Sequence, residues 1–317
     1  MSDAPALLEF EFGITAIDTG YVRPQLDASH LIVRNGRAAF VDAGTTYSVP
    51  MLLATLEQKA IPREAVDYVL LTHVHLDHAG GAGALMQQLP NAKALVHPRG
   101  AAHLVNPAKL IAGTKAVYGE AEFERMYGEI PPIAAERIVE VSDDMRLMLG
   151  ASELRFIHTP GHALHHYCIV DADSNSVFTG DTFGISYRIF DSENGAFIFP
   201  ATTPVHFDPE QAHASLDRIL SFKPDACFLT HYSRVTDVPR LGADMHRRLD
   251  KLVEIAKSCA DQPDRIERMK QQIYEWLVKE VRAHGCTIDQ QTVDTWLEMD
   301  VDLNAKGMSV WLDRVKA

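Results

Sequence analysis

Four apolar segments of this chain each run into a histidine or an aspartate, and this pattern limits the possible folds more than any other feature. The segments are residues 68–72, before His73; 154–159, before the turn to His162; Ser176–Gly180, before Asp181; and 226–230, before His231. Continuous apolar runs of this length are typical of strands covered on both faces. Because ligands of open α/β sheets bind beyond the carboxyl ends of strands, we predict that the four segments converge on one site.

The segment after the first strand, His73-Val74-His75-Leu76-Asp77-His78, has the composition of a metal site. Side chains at positions i and i+2 of an extended segment point the same way, so His73 and His75 can bind one ion. Asp77 and His78 follow where the chain turns into a helix, and they project towards a second ion. A lone histidine is most often a core or surface residue, but this concentration of histidine and aspartate favours metal binding.

Three later residues complete the ligand set, although each alone has an ordinary explanation. His162 alone would be a turn residue, Asp181 a helix N-cap and His231 a surface histidine. Together with the first cluster they provide enough imidazoles and carboxylates for two ions. Our assignment places His73, His75 and His162 on metal one, Asp77, His78 and His231 on metal two, and Asp181 between the two ions. Without a metal, Asp77 and Asp181 would be close, partly buried like charges, which is unfavourable.

The rest of the sequence alternates strand-like and helical patterns and predicts an α/β fold. Further strand-like runs are residues 13–19, 30–34, 38–42, 94–97 and Tyr167–Asp171, and Asn35-Gly36 between two of them signals a hairpin. Helical patterns lie at residues 49–59, 79–89 and Pro209–Ser221. The pattern of residues 100–128 predicts short helices without a strand partner, and we interpret this segment as a cap insertion. Helical pattern dominates from residue 239, so we predict a catalytic domain over residues 1–238 and a C-terminal helical region over 239–317.

Charge and cysteine content exclude some partners. The formal net charge of −13 at pH 7 disfavours nucleic acid and anionic membranes as partners, and Arg247, Arg248 and Lys251 lie among acidic residues that predict a solvated helix face. The N-terminus has no signal-peptide pattern, and no apolar stretch approaches the ~20 residues of a membrane span. The four cysteines form no C-x-x-C pair, which fits a reducing compartment. We therefore expect a cytoplasmic protein with a small-molecule substrate, whose helical tail either covers the site or forms the face of a homodimer.

The combination of motifs resembles the metallo-β-lactamase fold superfamily. The matching segments are His73-x-His75-x-Asp77-His78, Thr-Pro-Gly-His162, Thr179-Gly180-Asp181 and Thr230-His231, within about residues 10–235. The resemblance implies a four-layer αββα sandwich with the metals at one edge of two packed sheets, followed here by a C-terminal helical extension. It also implies that Asp42 orients a ligand histidine, and the alternative is an ordinary turn aspartate.

Within that superfamily the sequence is similar to the glyoxalase-II-like branch. True β-lactamases of this fold have Cys or Ser at the place of Asp181, and flavodiiron oxygen reductases have a carboxylate at the place of His75 together with a flavodoxin domain. Nucleases of the superfamily carry extra motifs and basic surfaces, so this sequence departs from all three groups. Residues 96–107, VHPRGAAHLVNP, resemble a subgroup that includes an oxygen-binding di-iron protein.

The resemblance implies two divalent metal ions, zinc or iron with manganese as a further option, and a hydrolytic reaction. A hydroxide that bridges the metals would attack the carbonyl of a small thioester, lactone or activated ester, with Asp77 and Asp181 orienting it and taking up its proton. The alternative is a di-iron protein that binds or reduces oxygen, because histidine and carboxylate ligands suit iron as well as zinc. A binding protein with a relict site is the third reading, and the intact ligand set argues against it.

Five further side chains are candidates for substrate contacts, each with a plainer alternative. His97, Arg99 and His103 either line the rim of the pocket, where Arg99 would hold a substrate carboxylate, or lie on a loop and helix surface. Tyr187 and Tyr232 either donate a hydrogen bond to a tetrahedral oxyanion or are packing residues.

Overall fold

A computed structural model describes residues 6–203 and 205–316. The first five residues of the N-terminus, for which no signal peptide is predicted, lie outside the described residues. Contacts between Cα atoms divide the chain into two units. The first comprises Met1–His158, His165–Gly180 and Thr230–Ser233, and the second comprises Thr159–Leu164, Asp181–Leu229 and Arg234–Ala317. Neither unit coincides with the catalytic domain or the helical region expected from the sequence, and that division stays a prediction.

The first unit contains a seven-stranded sheet whose strands follow one another in chain order. They are β1 (Leu7–Phe10), β2 (Ile14–Asp18), β3 (Ala28–Arg34), β4 (Arg37–Val41), β5 (Val66–Leu70), β6 (Lys93–Val96) and β7 (Ile138–Glu140). Strands β1 to β4 pair antiparallel and β4 to β7 pair parallel. Arg34 pairs with Arg37 across a loop in which Asn35 and Gly36 have φ angles of 48° and 75°, which suits a type I′ hairpin turn. The hairpin predicted from Asn35-Gly36 is confirmed.

Parallel strands require crossover connections, and helices of the first unit supply them. They are α1 (Val49–Gln58) between β4 and β5, α2 (Leu76–Ala79) and α3 (Ala82–Gln88) between β5 and β6, and α4 (Pro98–Val105), α5 (Ala108–Tyr118) and α6 (Glu120–Tyr127) between β6 and β7. The last three confirm the short helices predicted over residues 100–128. Leu52 of α1 and Leu85 of α3 belong to the same fully buried core as Phe40 and Val69 of the sheet. This core fixes the carboxyl end of β5, where the predicted ligands begin.

A second sheet has the strand order β13-β12-β11-β10-β9-β8. Its strands are β8 (Arg146–Leu149), β9 (Ser152–His158), β10 (Tyr167–Asp171), β11 (Ser176–Gly180), β12 (Ala226–Leu229) and β13 (Ser233–Val235). Strands β8 to β11 pair antiparallel within the first unit. Arg34 of β3 binds Asp171 of β10 at 2.6 Å, and these side chains are 7% and 0% exposed. The first unit therefore contains a buried ion pair.

Most strand predictions are confirmed, and the strands that sequence reasoning missed share a physical cause. Strands β10 and β11 have the predicted bounds, and β12 ends one residue early. By contrast, β1, β7, β8 and β13 were not predicted. They are three or four residues long, and most of their side chains are not buried. Such short edge strands lack the apolar run by which a buried strand is found.

The second unit is largely helical. Its helices are α7 (Pro209–Ser221), α8 (Val238–Cys259), α9 (Arg265–Ala283) and α10 (Gln290–Lys316). Helix α7 has the predicted bounds and begins at an N-cap, Asp208, whose carboxylate accepts a hydrogen bond from the backbone nitrogen of Gln211. Each helix packs against the next along the chain. The C-terminal helices predicted after residue 238 are confirmed.

Helices α8 and α10 hold the loop that precedes α7. The Asn304 side-chain oxygen accepts a hydrogen bond from the Thr202 backbone nitrogen at 2.7 Å, and its amide donates to the Pro200 carbonyl at 3.1 Å. Arg248 is 3% exposed, lies over the Phe197 ring at 4.2 Å and pairs with a glutamate of α9. The solvated face predicted for this part of α8 is therefore wrong at Arg248. Among the described residues, every helix is too short or too polar to cross a bilayer.

Candidate metal centre

Four of the predicted ligands follow strand β5 in the first unit. The chain leaves β5 after Leu70 and reaches His75, whose extended backbone caps the start of α2. His73 is fully buried, and its Nε2 lies 2.8 Å from Nδ1 of His75. Asp77 and His78 lie in the single turn of α2. The i and i+2 histidines therefore face each other, while the next two candidate ligands lie on the helix.

Asp77, His78 and His231 form a group of potential ligands that lies entirely within the first unit. Each offers one ligand atom, and these atoms all lie within 4.8 Å of one another. Oδ2 of Asp77 lies 3.7 Å from Nε2 of His78 and 3.5 Å from Nε2 of His231. Two ligands of a tetrahedral zinc ion, each bound at ~2.0–2.2 Å, lie about 3.4 Å apart. The spacing fits ligands around one cation, and it exceeds the range of a good hydrogen bond.

Hydrogen bonds on the far side of each ring determine which nitrogen can bind a cation. Nδ1 of His78 lies 2.7 Å from Oδ2 of Asp42, and Nδ1 of His231 lies 2.9 Å from the Leu26 carbonyl oxygen. Carbonyl and carboxylate oxygens only accept, so both Nδ1 atoms carry the hydrogen. In the neutral imidazole the Nε2 lone pair is then directed at Asp77. Metal-binding histidines have this arrangement, so the residues fit a divalent cation.

Asp42 connects three segments of the first unit that are distant in sequence. Its carboxylate accepts hydrogen bonds from the Thr72 backbone nitrogen at 2.8 Å, the Thr72 hydroxyl at 2.8 Å, His78 and the Thr230 hydroxyl at 2.9 Å. The side chain is 1% exposed. Asp42 therefore orients the His78 ring and holds the residues that precede His73 and His231.

The second unit contains the other two predicted ligands, His162 and Asp181, as a close pair. Nε2 of His162 lies 3.4 Å from Oδ2 of Asp181, and Nδ1 of His162 lies 3.0 Å from the Ala201 carbonyl oxygen. The carbonyl oxygen places the hydrogen on Nδ1, as in the first unit. The two residues are 4% and 6% exposed. This pair repeats the spacing and the tautomer of the group around Asp77.

The turn before His162 depends on Gly161. This residue has a φ angle of 131°, and a Cβ atom here would lie 2.4 Å from the Ala212 backbone nitrogen and 2.5 Å from its Cα. Glycine alone allows the chain to pass this close to α7. His162 and Asp181 also line a cavity whose other walls include Phe207 and Met245. The second unit therefore places a histidine and a carboxylate beside an apolar space.

The candidates on α4 have contacts that match the plainer alternative. His97 is the N-cap of α4, and its Nδ1 accepts a hydrogen bond from the Arg99 backbone nitrogen at 3.1 Å. Burial, together with the neighbouring His158, lowers the pKa of His97 to about 4. The Arg99 side chain is exposed, and His103 is half-buried. Substrate contacts for these residues stay predictions.

The two candidate tyrosines are both buried. The Tyr187 hydroxyl donates to Oδ2 of Asp300 at 3.0 Å, and the ring is 1% exposed. Tyr232 follows His231 and is 2% exposed. Packing accounts for this burial, and the oxyanion role stays a prediction for each.

Asp27 is a carboxyl group of this centre that sequence reasoning missed. It is fully buried, and it follows Leu26, whose carbonyl oxygen binds His231. Oδ2 of Asp27 accepts a hydrogen bond from the Thr19 hydroxyl at 2.9 Å. Burial raises the pKa of Asp27 to about 7, against the attraction of His231 and His78. The sequence around Asp27 carries no motif, so its position in the fold alone identifies it.

Comparisons with known proteins identify similar sequences. The family model of the metallo-beta-lactamase superfamily matches residues 24–231. A curated relative, the metallo-beta-lactamase fold-containing protein ST1585 of Sulfurisphaera tokodaii, is 29% identical over 224 residues, which cover 69% of this chain and 78% of the relative. The hydroxyacylglutathione hydrolase of Salmonella paratyphi A is 26% identical over 220 residues, which cover 66% and 72%.

Solved structures show the same fold. The crystal structure of ST1585 matches with a TM-score of 0.65 at 23% identity, covering 93% of this chain and 98% of that one. A structure of the chemotaxis sensor ODP, which holds a peroxy diiron species, matches with a TM-score of 0.51 at 14% identity, covering 76% and 94%. The predicted αββα sandwich with C-terminal helices is confirmed. So is the predicted similarity to glyoxalase-II-like and di-iron proteins.

Proposed function

Because the chain belongs to the metallo-beta-lactamase superfamily, we propose that it is a dinuclear metal-dependent hydrolase that cleaves a small thioester, lactone or activated ester. The observation that carries the proposal is the group of Asp77, His78 and His231. Two imidazoles with Nδ1 already engaged direct Nε2 at one carboxylate. Imidazole and carboxylate donors suit Zn²⁺, Fe²⁺ and Mn²⁺.

The second half of the proposal is another ion held by His73, His75 and His162, with Asp181 between the two cations. Two observations support it. The rings of His73 and His75 face each other within the first unit, and His162 lies close to Asp181 within the second unit. A carboxylate can bridge because it has two oxygens with several lone pairs. Full occupancy corresponds to two metal equivalents per chain at these ligands.

The residues have distinct roles in the proposed reaction. Cations held here would supply a water molecule of lowered pKa and would polarise the substrate carbonyl. Asp77 and Asp181 would orient a water molecule and accept its proton as its oxygen attacks the carbonyl carbon. The bond from that carbon to the sulfur or oxygen of the leaving group would then break, and the leaving group would take up the proton. Asp42 keeps the hydrogen of His78 on Nδ1, so that Nε2 stays available as a ligand.

The lining of the cavity supports a small acyl group. Its apolar wall includes Phe207, Met245 and Leu249. Apolar walls with a few convergent polar groups are typical of small-molecule sites. The hydroxyacylglutathione hydrolase among the relatives supports thioesters as the first substrates to test.

The test is turnover by protein loaded separately with zinc, iron or manganese. The substrate panel contains a hydroxyacyl-glutathione thioester, a second thioester, a lactone and an activated aryl ester. We expect turnover of at least one ester by wild-type protein and background rates for His231→Ala and Asp181→Asn. His284→Ala is the matched control, and it should retain both rate and metal content. If protein that holds two metal equivalents per chain turns over no substrate of the panel, the proposed hydrolase function is disproved.

A redox protein is the second candidate, and the donor set is compatible with it. All four cysteines are buried, and neither group of potential ligands contains a thiolate. Donor sets of histidine and carboxylate suit iron as well as zinc, and no thiolate in either group favours zinc. Iron retained through purification, a visible absorption change on exposure to air and no ester turnover would together favour this function.

A further inference from the structure

Helices α7 and α8 carry a second set of metal-binding side chains, away from the ligands described above in sequence and within one unit. His213 and Asp217 lie four residues apart on α7, and His246 and Asp250 lie four residues apart on α8. Residues at this spacing share one face of a helix. These four side chains, which we call the α7–α8 cluster, meet where the two helices pack.

The α7–α8 cluster is cross-connected between the helices. Nε2 of His213 lies 3.2 Å from Oδ1 of Asp250, and Nε2 of His246 lies 3.2 Å from Oδ1 of Asp217. Each imidazole is therefore paired with the carboxylate of the opposite helix. The rings are nearly parallel, at 7°, and their Nδ1 atoms lie 2.6 Å apart.

This geometry leaves a place for a cation. An ionised carboxylate only accepts hydrogen bonds, so each ring carries its hydrogen on Nε2. In a neutral ring of this tautomer, Nδ1 has a lone pair and no hydrogen. The two Nδ1 atoms lie 2.6 Å apart, so their lone pairs repel each other. A shared proton or a metal ion removes the repulsion. The two carboxylates favour either cation, and they hold the rings as carboxylates hold metal-binding histidines elsewhere.

We propose that His213 and His246 bind one transition-metal ion, of the Zn²⁺ or Cu²⁺ class, through their Nδ1 atoms. Two nitrogen ligands of tetrahedral zinc lie about 3.4 Å apart, so the rings must separate slightly from their present distance. The side chains of His213 and His246 are 28% and 27% exposed, which leaves room for this movement and for water as the remaining ligands. The ion would connect α7 to α8.

The stoichiometry of bound zinc tests the proposal. Wild-type protein and the double variant His213→Ala/His246→Ala are dialysed against the same buffered Zn²⁺ and measured by elemental analysis. We expect the double variant to bind one equivalent less than wild type, whatever number the other ligands hold. His284→Ala, which removes a histidine at the end of α9, is the matched control and should bind as much as wild type. Equal zinc content in wild type and the double variant would overturn the proposal.

Nuclear magnetic resonance of ¹⁵N-histidine-labelled protein gives a second readout that loss of folding does not imitate. Zinc should shift two Nδ1 signals together, and both shifts should be absent in His213→Ala and in His246→Ala. Asp217→Asn/Asp250→Asn should weaken binding of this equivalent about 10–100-fold while leaving both imidazoles in place. Shifts of the Nε2 signals of His213 and His246 instead of their Nδ1 signals, or affinity unchanged by the asparagine variants, would contradict the geometry. If the signals of His213 and His246 change with pH but not with any added metal, the two rings share only a proton, and the proposal is overturned.

Discussion

Replacing Asp42 by asparagine should weaken metal binding in the first unit by one to two orders of magnitude. The carboxylate uses both of its oxygens as acceptors. Oδ1 accepts from the Thr72 backbone nitrogen at 2.8 Å, and Oδ2 accepts from Nδ1 of His78 at 2.7 Å and from the Thr230 hydroxyl at 2.9 Å. Asparagine keeps the shape of the side chain but replaces one acceptor by an NH₂ donor.

Either orientation of the new amide causes a loss. If NH₂ takes the place of Oδ2, His78 must move its hydrogen to Nε2, the atom that faces Asp77. Loss of a partner that orients a ligand histidine costs about 10–100-fold in metal affinity, or about 1.4–2.7 kcal/mol. If NH₂ takes the place of Oδ1, the buried Thr72 N–H loses its acceptor, which costs about 1–3 kcal/mol of folding stability.

Two measurements separate these outcomes. Competition with a chromophoric chelator gives the zinc affinity, and urea unfolding of the metal-free protein gives the stability. Thr230→Val is the matched control, because it removes one donor to Asp42 but leaves the acceptor of His78 intact. The control should lose less than about tenfold in affinity, below the range expected when the partner of a ligand is lost. An Asp42→Asn protein with wild-type zinc affinity and an unchanged urea midpoint would refute the reasoning.

Three further perturbations test other parts of the structure. Arg34→Met leaves the carboxylate of Asp171 buried without its partner, so urea unfolding should show a loss of about 3–5 kcal/mol. Tyr187→Phe removes the hydroxyl that donates to Asp300 and should cost about 1–3 kcal/mol of stability with kcat unchanged; a lower kcat at unchanged stability would assign Tyr187 the oxyanion role instead. Burial lowers the pKa of His30 from 6.5 to about 3, so the unfolded chain gains a proton that the folded chain does not. Stability of the metal-free protein should therefore fall as pH decreases from about 6.5 towards 3, by at most about 1.4 kcal/mol per pH unit from this group, and His30→Gln should reduce the slope of the urea midpoint against pH.

The candidate ligands could be named from the sequence because local spacing and strand ends carry most of the information. His73 and His75 are two positions apart on an extended segment, and the structure has them face to face. Strand runs that end in Asp181 or His231 were visible as apolar segments. Apart from the hairpin at Asn35-Gly36, the order and the pairing directions of the strands in the first sheet were not visible, because strand pairing is a tertiary property.

Groups that act through tertiary contacts could not be found in the same way. Asp27 has no motif around it, and its importance comes from burial beside His78 and His231. His213 and His246 each look like an ordinary helix residue. Their pairing depends on the packing of α7 against α8, which the periodicity of either helix alone does not specify.

The hydrogen bond between Asp42 and Thr230 spans 188 positions of the chain, and this separation has a consequence for synthesis. The segment from His73 to His78 leaves the ribosome about 150 residues before His231, which corresponds to roughly 8–30 s at 5–20 residues per second. During that interval the early histidines lack the later members of the proposed ligand set, His162, Asp181 and His231. A cation captured then would have an incomplete set of donors and would exchange readily. We therefore expect stable metal binding only after translation has passed His231, the last proposed ligand.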